Sequence, residues 1–170
     1  MDKAITTALF IVVSMILVMM LFSAIYPAVQ QGSDAVTSMA FDVSDRMRHQ
    51  FSVVHASAEL PDGVLWQDNN GNGLYDVFAW AKNTGDVSIP AIERLDIFFG
   101  REGNFTRIPY KVDSSTPYPN WTWNVENDTD WVPTATLQIV IHYQVALSTG
   151  RYYLKVTLPN GMSSDYFLGI

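Results

Sequence analysis

The densest run of oxygen chemistry in the chain is Asp68-Asn69-Asn70-Gly71-Asn72-Gly73-Leu74-Tyr75-Asp76. Counted from Asp68, side-chain oxygens fall at positions 1, 3, 5 and 9, with a glycine at position 6. Leu74, at position 7, offers its backbone carbonyl. Hard cations take oxygen ligands in this order, and the glycine permits the sharp turn. Asp68, Asn70, Asn72, Leu74 and Asp76 are thus candidate calcium ligands, and Ca2+ is the one cofactor the sequence suggests. Position 12, where a complete loop has a bidentate glutamate, is Ala79, and strand-like rather than helical patterns flank the run. The same residues also make an Asn/Gly-rich turn held by Asx-type bonds.

Other residue patterns point to surface and packing roles. Three Asn-x-Thr sequons begin at Asn104, Asn120 and Asn127, and are glycosylation acceptors if the domain is exported. Trp121 and Trp123 lie two apart and share a strand face, suited either to stacking on a sugar or to a core layer or subunit contact. Catalysis finds little support. His49, His55 and His142 are isolated, and no Gly-x-Ser-x-Gly, His-Glu-x-x-His or phosphate loop occurs, so no enzyme is expected. His142 reads as a structural residue on a strand. The absence of cysteine removes disulfides and thiol chemistry. A net charge of −7 with scattered basic residues argues against nucleic acid as a partner.

The elements that must carry these residues are of two kinds. Ala4–Tyr26, AITTALFIVVSMILVMMLFSAIY, holds no charge and no glycine, and the first charge after Lys3 is Asp34. About 20 apolar residues cross a hydrocarbon core of about 30 Å, so this helix reaches across a membrane. Met1-Asp2-Lys3 is a minimal n-region and the helical pattern runs past residue 30, which favours an anchor over a cleaved secretory signal. After Pro27 and Gly32, both expected weak points, Val36, Met39, Val43 and Met47 recur three or four apart in an amphipathic continuation. Residues 1–50 form this helical segment.

Residues 51–170 switch to alternation. Expected strands are Phe51–Leu60, Val64–Trp66, Leu74–Asn83, Leu95–Phe99 and Phe105–Tyr110. Trp121–Val125, Thr136–Leu147, Arg151–Leu158 and Met162–Leu168 follow. Turn residues separate several of them: Pro61-Asp62-Gly63, Asn83-Thr84-Gly85, Ser148-Thr149-Gly150 and Pro159-Asn160-Gly161. Leu74–Lys82 is apolar on both faces, which suits the centre of a sheet covered on both sides. The fold class is α+β: a long N-terminal hydrophobic helix followed by an immunoglobulin-like antiparallel β-sandwich.

An uncharged helix that starts at the N-terminus and runs into a β-sandwich resembles the type IV pilin superfamily, and within it the archaellum proteins, both archaellins and stator subunits. The resemblance is carried by Ala4–Met39, Asp76–Gly100, Trp121–Ile141 and Tyr152–Gly161, with Lys-Asn-x-Gly and Glu-Asn-Asp as its more specific segments. Two features depart from the pattern. No acidic residue lies between Lys3 and Asp34, where bacterial pilins have a glutamate, and a class III leader is longer and more basic than Met-Asp-Lys.

The resemblance implies, first, a structural subunit of a helical motility filament at the cell surface, inserted in the membrane before assembly. Its partners would be other copies of itself and an archaellum-type membrane platform and motor. Ile5, Leu9, Val12, Ile16, Val18, Phe22, Tyr26, Val36, Met39, Val43 and Met47 would be the helix assembly residues. The alternative is a membrane-anchored stator subunit whose sandwich binds the cell envelope or surface layer. A second alternative is an anchored adhesion or carbohydrate-binding module.

Overall fold

A computed structural model describes residues 2–59, 61–62 and 65–170. The chain divides into two compact units, Met1–Ser44 and Asp45–Ile170.

Helix α1 (Asp2–Arg48) is one uninterrupted α-helix of 47 residues, about 70 Å long at the usual rise. It passes through Pro27, whose missing amide leaves one main-chain bond unmade. No described residue of the helix is buried within the chain. Three hydroxyls of its apolar part bond back to the main chain. Thr6 Oγ1 donates to Asp2 O at 2.6 Å, Thr7 Oγ1 to Lys3 O at 2.7 Å and Ser14 Oγ to Phe10 O at 2.7 Å. Each donor is satisfied one turn back, which hydrocarbon demands.

The second unit is a sandwich of two four-stranded antiparallel sheets. Its strands are β1 (Phe51–Ala58), β2 (Pro61–Asp62), β3 (Leu65–Trp66), β4 (Tyr75–Asn83), β5 (Asp96–Arg101), β6 (Asn104–Ile108), β7 (Asn120–Glu126), β8 (Thr136–Tyr143), β9 (Arg151–Thr157) and β10 (Ser163–Gly169). The first sheet has the order β1-β4-β8-β7 and the second β10-β9-β5-β6, while β2 and β3 pair as a small ribbon. Alternation sets the core. Val77, Ala79 and Ala81 of β4, Leu137, Ile139 and Ile141 of β8, and Leu154 and Val156 of β9 all point inward with no exposed surface. The sheet edges are engaged as well. Val53 N of β1 donates to Ser164 Oγ of β10 at 3.0 Å. On the other side Tyr110 bridges Trp121, with Trp121 N donating to Pro109 O at 3.0 Å. Such contacts blunt open edges.

The expected strands all appear, with ends shifted by up to four residues; Leu60, Gly63 and Val64 lie outside the described residues. Thr136–Leu147 is the largest difference, since β8 ends at Tyr143. The expectation for β4 is corrected in one respect. The strand is interior to its sheet, but Phe78 and Trp80 on its outer face are only half-buried, and rings rather than a covering layer attend them. His55 stacks on Trp80 at 5.6 Å, and Phe78 stacks on Trp80 at 6.1 Å.

The helix yields a first test. Leu17→Asp puts a carboxylate near the middle of the apolar stretch, at a cost of about 3 kcal/mol in a bilayer. The variant is expected to lose the membrane fraction after carbonate extraction; full retention would show that this stretch does not span.

Candidate functional site

Two polar constellations organise the sandwich, one around Asp76 and one around Asn83. Asp76 has no exposed surface. Its Oδ2 accepts from Asn70 Nδ2 at 2.6 Å and Asn72 Nδ2 at 2.8 Å. Its Oδ1 lies 2.6 Å from His142 Nδ1, because β4 and β8 pair in a register that sets the two residues opposite each other. With a carboxylate at Nδ1, the ring carries its proton there, and Nε2 accepts from the Thr122 hydroxyl at 2.9 Å. Three neighbouring strands are thereby tied across the outer face of the first sheet. Beneath them Glu59, only 1% exposed, accepts from Asn69 N at 2.9 Å and Asp76 N at 3.0 Å. A buried carboxylate without such donors would be prohibitive.

The Asp68–Asp76 segment is thus brought together as a loop whose oxygens already have donors. Asp68 accepts from Gly71 N at 2.7 Å, Asn72 N at 3.2 Å and Gly73 N at 2.7 Å. Asn70 Oδ1 accepts from Asn72 N, and Asn72 Oδ1 from Leu74 N. Leu74 O accepts from Trp66 Nε1 at 2.8 Å. Gly71 and Gly73 both have positive φ, as the turn requires. The described residues contain no group of three or more His, Asp or Glu arranged to hold a metal. The Gly73 amide, ahead of the other main-chain donors, holds the Asp68 carboxyl below its ordinary value.

The second constellation receives the end of α1. Asn83 has no exposed surface; its Nδ2 donates to Val87 O and Trp131 O, both at 2.9 Å, and its Oδ1 accepts from Gly85 N at 3.0 Å. Its main chain bonds Ala135 O and Thr134 N. The turn so fixed offers three amides outward. Thr84 N and Gly85 N donate to Gln50 O, and Asp86 N to Arg48 O. Arg48 is the last helical residue and its carbonyl would otherwise be orphaned. Backbone meets backbone so closely that a Cβ on Gly85 would lie 2.1 Å from Arg48 O. The last helical turn is further held by Asp45, which pairs with His49 at 3.1 Å.

The remaining sequence candidates fall as follows. Asn104, the first residue of β6, and Asn127, at a positive-φ position after β7, are exposed. Asn120 is buried, with Nδ2 donating to Pro117 O, and Thr122 of the same sequon is engaged by His142. A glycan there would require β7 to open. Trp121 is fully buried, and Trp123 is half-buried and packs against the core. Of the helix assembly residues, all exposed, Ile5, Leu9, Val12 and Ile16 share one face by helical period. Val18, Phe22, Val36, Met39, Val43 and Met47 fall on the opposite side, with Tyr26 between. Sequence reading missed Glu59 and the Asp76–His142 pair. It noted Asn83-Thr84-Gly85 as turn chemistry without seeing what the turn holds.

No protein-family model and no curated protein matches the sequence. Among solved structures, the archaellum periplasmic stator protein FlaG from Sulfolobus acidocaldarius matches with a TM-score of 0.53 and 21% identity, over 71% of this chain and 99% of that one. The archaellum periplasmic stator protein complex FlaF and FlaG from the same organism matches with a TM-score of 0.52 and 23% identity, over 70% and 88%. The likeness is one of fold. At that level it bears out the resemblance to archaellum proteins read from the sequence.

Two tests follow. Gly85→Ala is expected to destabilise the sandwich by about 3 kcal/mol, the upper end for an overpacked site, and Asn83→Ala by about 2 kcal/mol through carbonyls left without donors. Urea unfolding followed by tryptophan fluorescence reads both, since all five tryptophans lie beyond the helix; unchanged midpoints would remove the turn from any anchoring role. For Asp68 the folded pKa is depressed, so its hold on the loop is complete above the ordinary value of 3.8 and is lost only as pH falls through the lower folded value. The Gly73 amide resonance is expected to titrate with a midpoint below 3.8; a midpoint at or above it would contradict the geometry.

Proposed function

We propose that this chain is a stator subunit of an archaellum-type machine, anchored by α1 in the membrane with its sandwich engaging the cell envelope. The observation that carries the reading is the fold match over 71% of this chain and 99% of the FlaG stator structure. The leading sequence expectation, a filament subunit, used the same helix; nothing in the comparisons favours it over the stator.

A stator has to resist torque, which needs a membrane foot, an envelope grip and a junction that does not yield. The apolar part of α1 supplies the foot. The Asn83–Gly85 turn holds Arg48 and Gln50, both within the second unit, by main-chain bonds that do not depend on mobile side chains. By analogy with the neighbouring complex of FlaF and FlaG, we take a second stator protein as partner; the cell envelope or surface layer enters from the sequence reading alone. Export would make Asn104 and Asn127 the sequons open to glycosylation.

Fractionation separates the two readings. Cells are sheared, and appendages and membranes are assayed for this chain by mass spectrometry. The stator reading expects the chain in membranes and only traces in the filaments. A chain that dominates the sheared filaments sinks it.

A further inference from the structure

The three sequons are alike in sequence and unlike in the fold. Asn127, Asp128 and Thr129 follow β7 in a turn, and all three are exposed. Asn127 has a φ of 59°, which takes the chain out of the strand. Asn104, Phe105 and Thr106 open β6, the last strand of its sheet, and pair with β5 alone. They are exposed as well.

Asn120 is the opposite case. Its side chain is buried, with Nδ2 donating to Pro117 O and Oδ1 enclosed without a partner. Trp121, the middle residue of this sequon, has no exposed surface. Its main chain pairs with β8 on one side, and on the other donates to Pro109 O and accepts from Lys111 N. The Thr122 hydroxyl is held by His142 Nε2 at 2.9 Å.

N-glycosylation makes this contrast chemical. The asparagine Nδ2 attacks C1 of a sugar carried on a lipid-linked phosphate. The Nδ2–C1 bond forms, the C1–O bond to phosphate breaks, the phosphate leaves with that electron pair, and one amide proton passes to the transferase. The enzyme reads the asparagine amide and the threonine hydroxyl together, so both must be free of the chain's own bonds. Asn127 and Thr129 lie open in a turn. Asn104 and Thr106 ask for no more than fraying at the end of an edge strand. At Asn120 both groups are engaged, and freeing them means lifting β7 from β8 and drawing an indole out of the core.

We propose that the chain is glycosylated after its sandwich has folded, on Asn104 and Asn127 and not on Asn120. The inference deepens the stator reading and rests on the export of the sandwich that this reading entails. A bulky polar group near one end of each of two edge strands also adds to what keeps those edges from pairing with other chains.

The test is glycopeptide mass spectrometry on the full-length chain, purified in detergent from whole cells of the source organism. Trypsin isolates Asn104 by cutting after Arg101 and Arg107, and cleavage after Glu126 separates Asn120 from Asn127. The Asn104 and Asn127 peptides are expected to carry sugar mass, and the Asn120 peptide to be bare. Asn104→Gln and Asn127→Gln, each at an exposed position, are expected to lose one glycan apiece, and the double variant to lose all of it.

Sugar on Asn120, in the wild type or in the double variant, would show that modification precedes folding and would overturn the proposal. So would a bare peptide at Asn104 or at Asn127. The stator reading fails separately: it is lost if the chain leaves with sheared filaments, whatever its sugars, and it survives if a bare chain stays in the membranes.

Discussion

The structure depends on a close approach of two backbones. The end of α1 and the start of β1 can reach the Asn83–Gly85 turn only because residue 85 has no side chain, and the turn keeps its shape only because the Asn83 amide is buried with every group bonded. A buried amide that lost these partners would forfeit about 1–3 kcal/mol for each group stranded. The Trp131 main-chain carbonyl that Asn83 engages belongs to a residue whose ring packs edge-on against Phe51, the first residue of β1, at 5.6 Å. The turn, the loop before β8 and the first strand are thus one unit. What leaves the helix at Arg48 enters the core directly.

That arrangement explains what was legible in the sequence. Strand positions were readable because alternation and the turn residues agreed, as between β9 and β10, where Pro159-Asn160-Gly161 sits between two alternating runs. Asn83-Thr84-Gly85 was readable as a turn for the same local reason. Its partners were not, since Arg48 and Trp131 are 35 and 48 residues away in sequence. Glu59 was hidden for a related cause: a lone carboxylate at a strand end looks solvated until the Asp68–Asp76 loop folds back over it. Burial of Asn120 depends on Pro117 and on the pairing of β7 with β8, neither of which a three-residue sequon encodes. The oxygen-rich loop is visible in its residue types, but those types do not distinguish an oxygen that faces a cation from one that accepts a main-chain amide.

The helix poses a different limit. Lipid tails and neighbouring helices are equally apolar, so a surface built for one suits the other, and no count of leucines separates a membrane anchor from a filament core. Both faces of α1 are apolar over the first 30 residues, consistent with either surrounding. Discrimination therefore has to come from the sandwich, the part that meets other proteins in water.

There the two sheets divide the work. The outer face of the first sheet is closed by internal bonds: Asp76, His142 and Thr122 satisfy one another across three strands and leave little for a partner to claim. The outer face of the second leaves aromatic surface exposed while its charges are paired, Arg107 with Asp96 at 2.6 Å and Arg151 with Glu102 at 3.6 Å. Gly100 shapes that aromatic surface. Without a Cβ it lets the β6 backbone approach, since one would lie 2.6 Å from Asn104 O and 2.7 Å from Phe105 Cα, and it lets the Phe105 and Tyr153 rings meet at 4.8 Å.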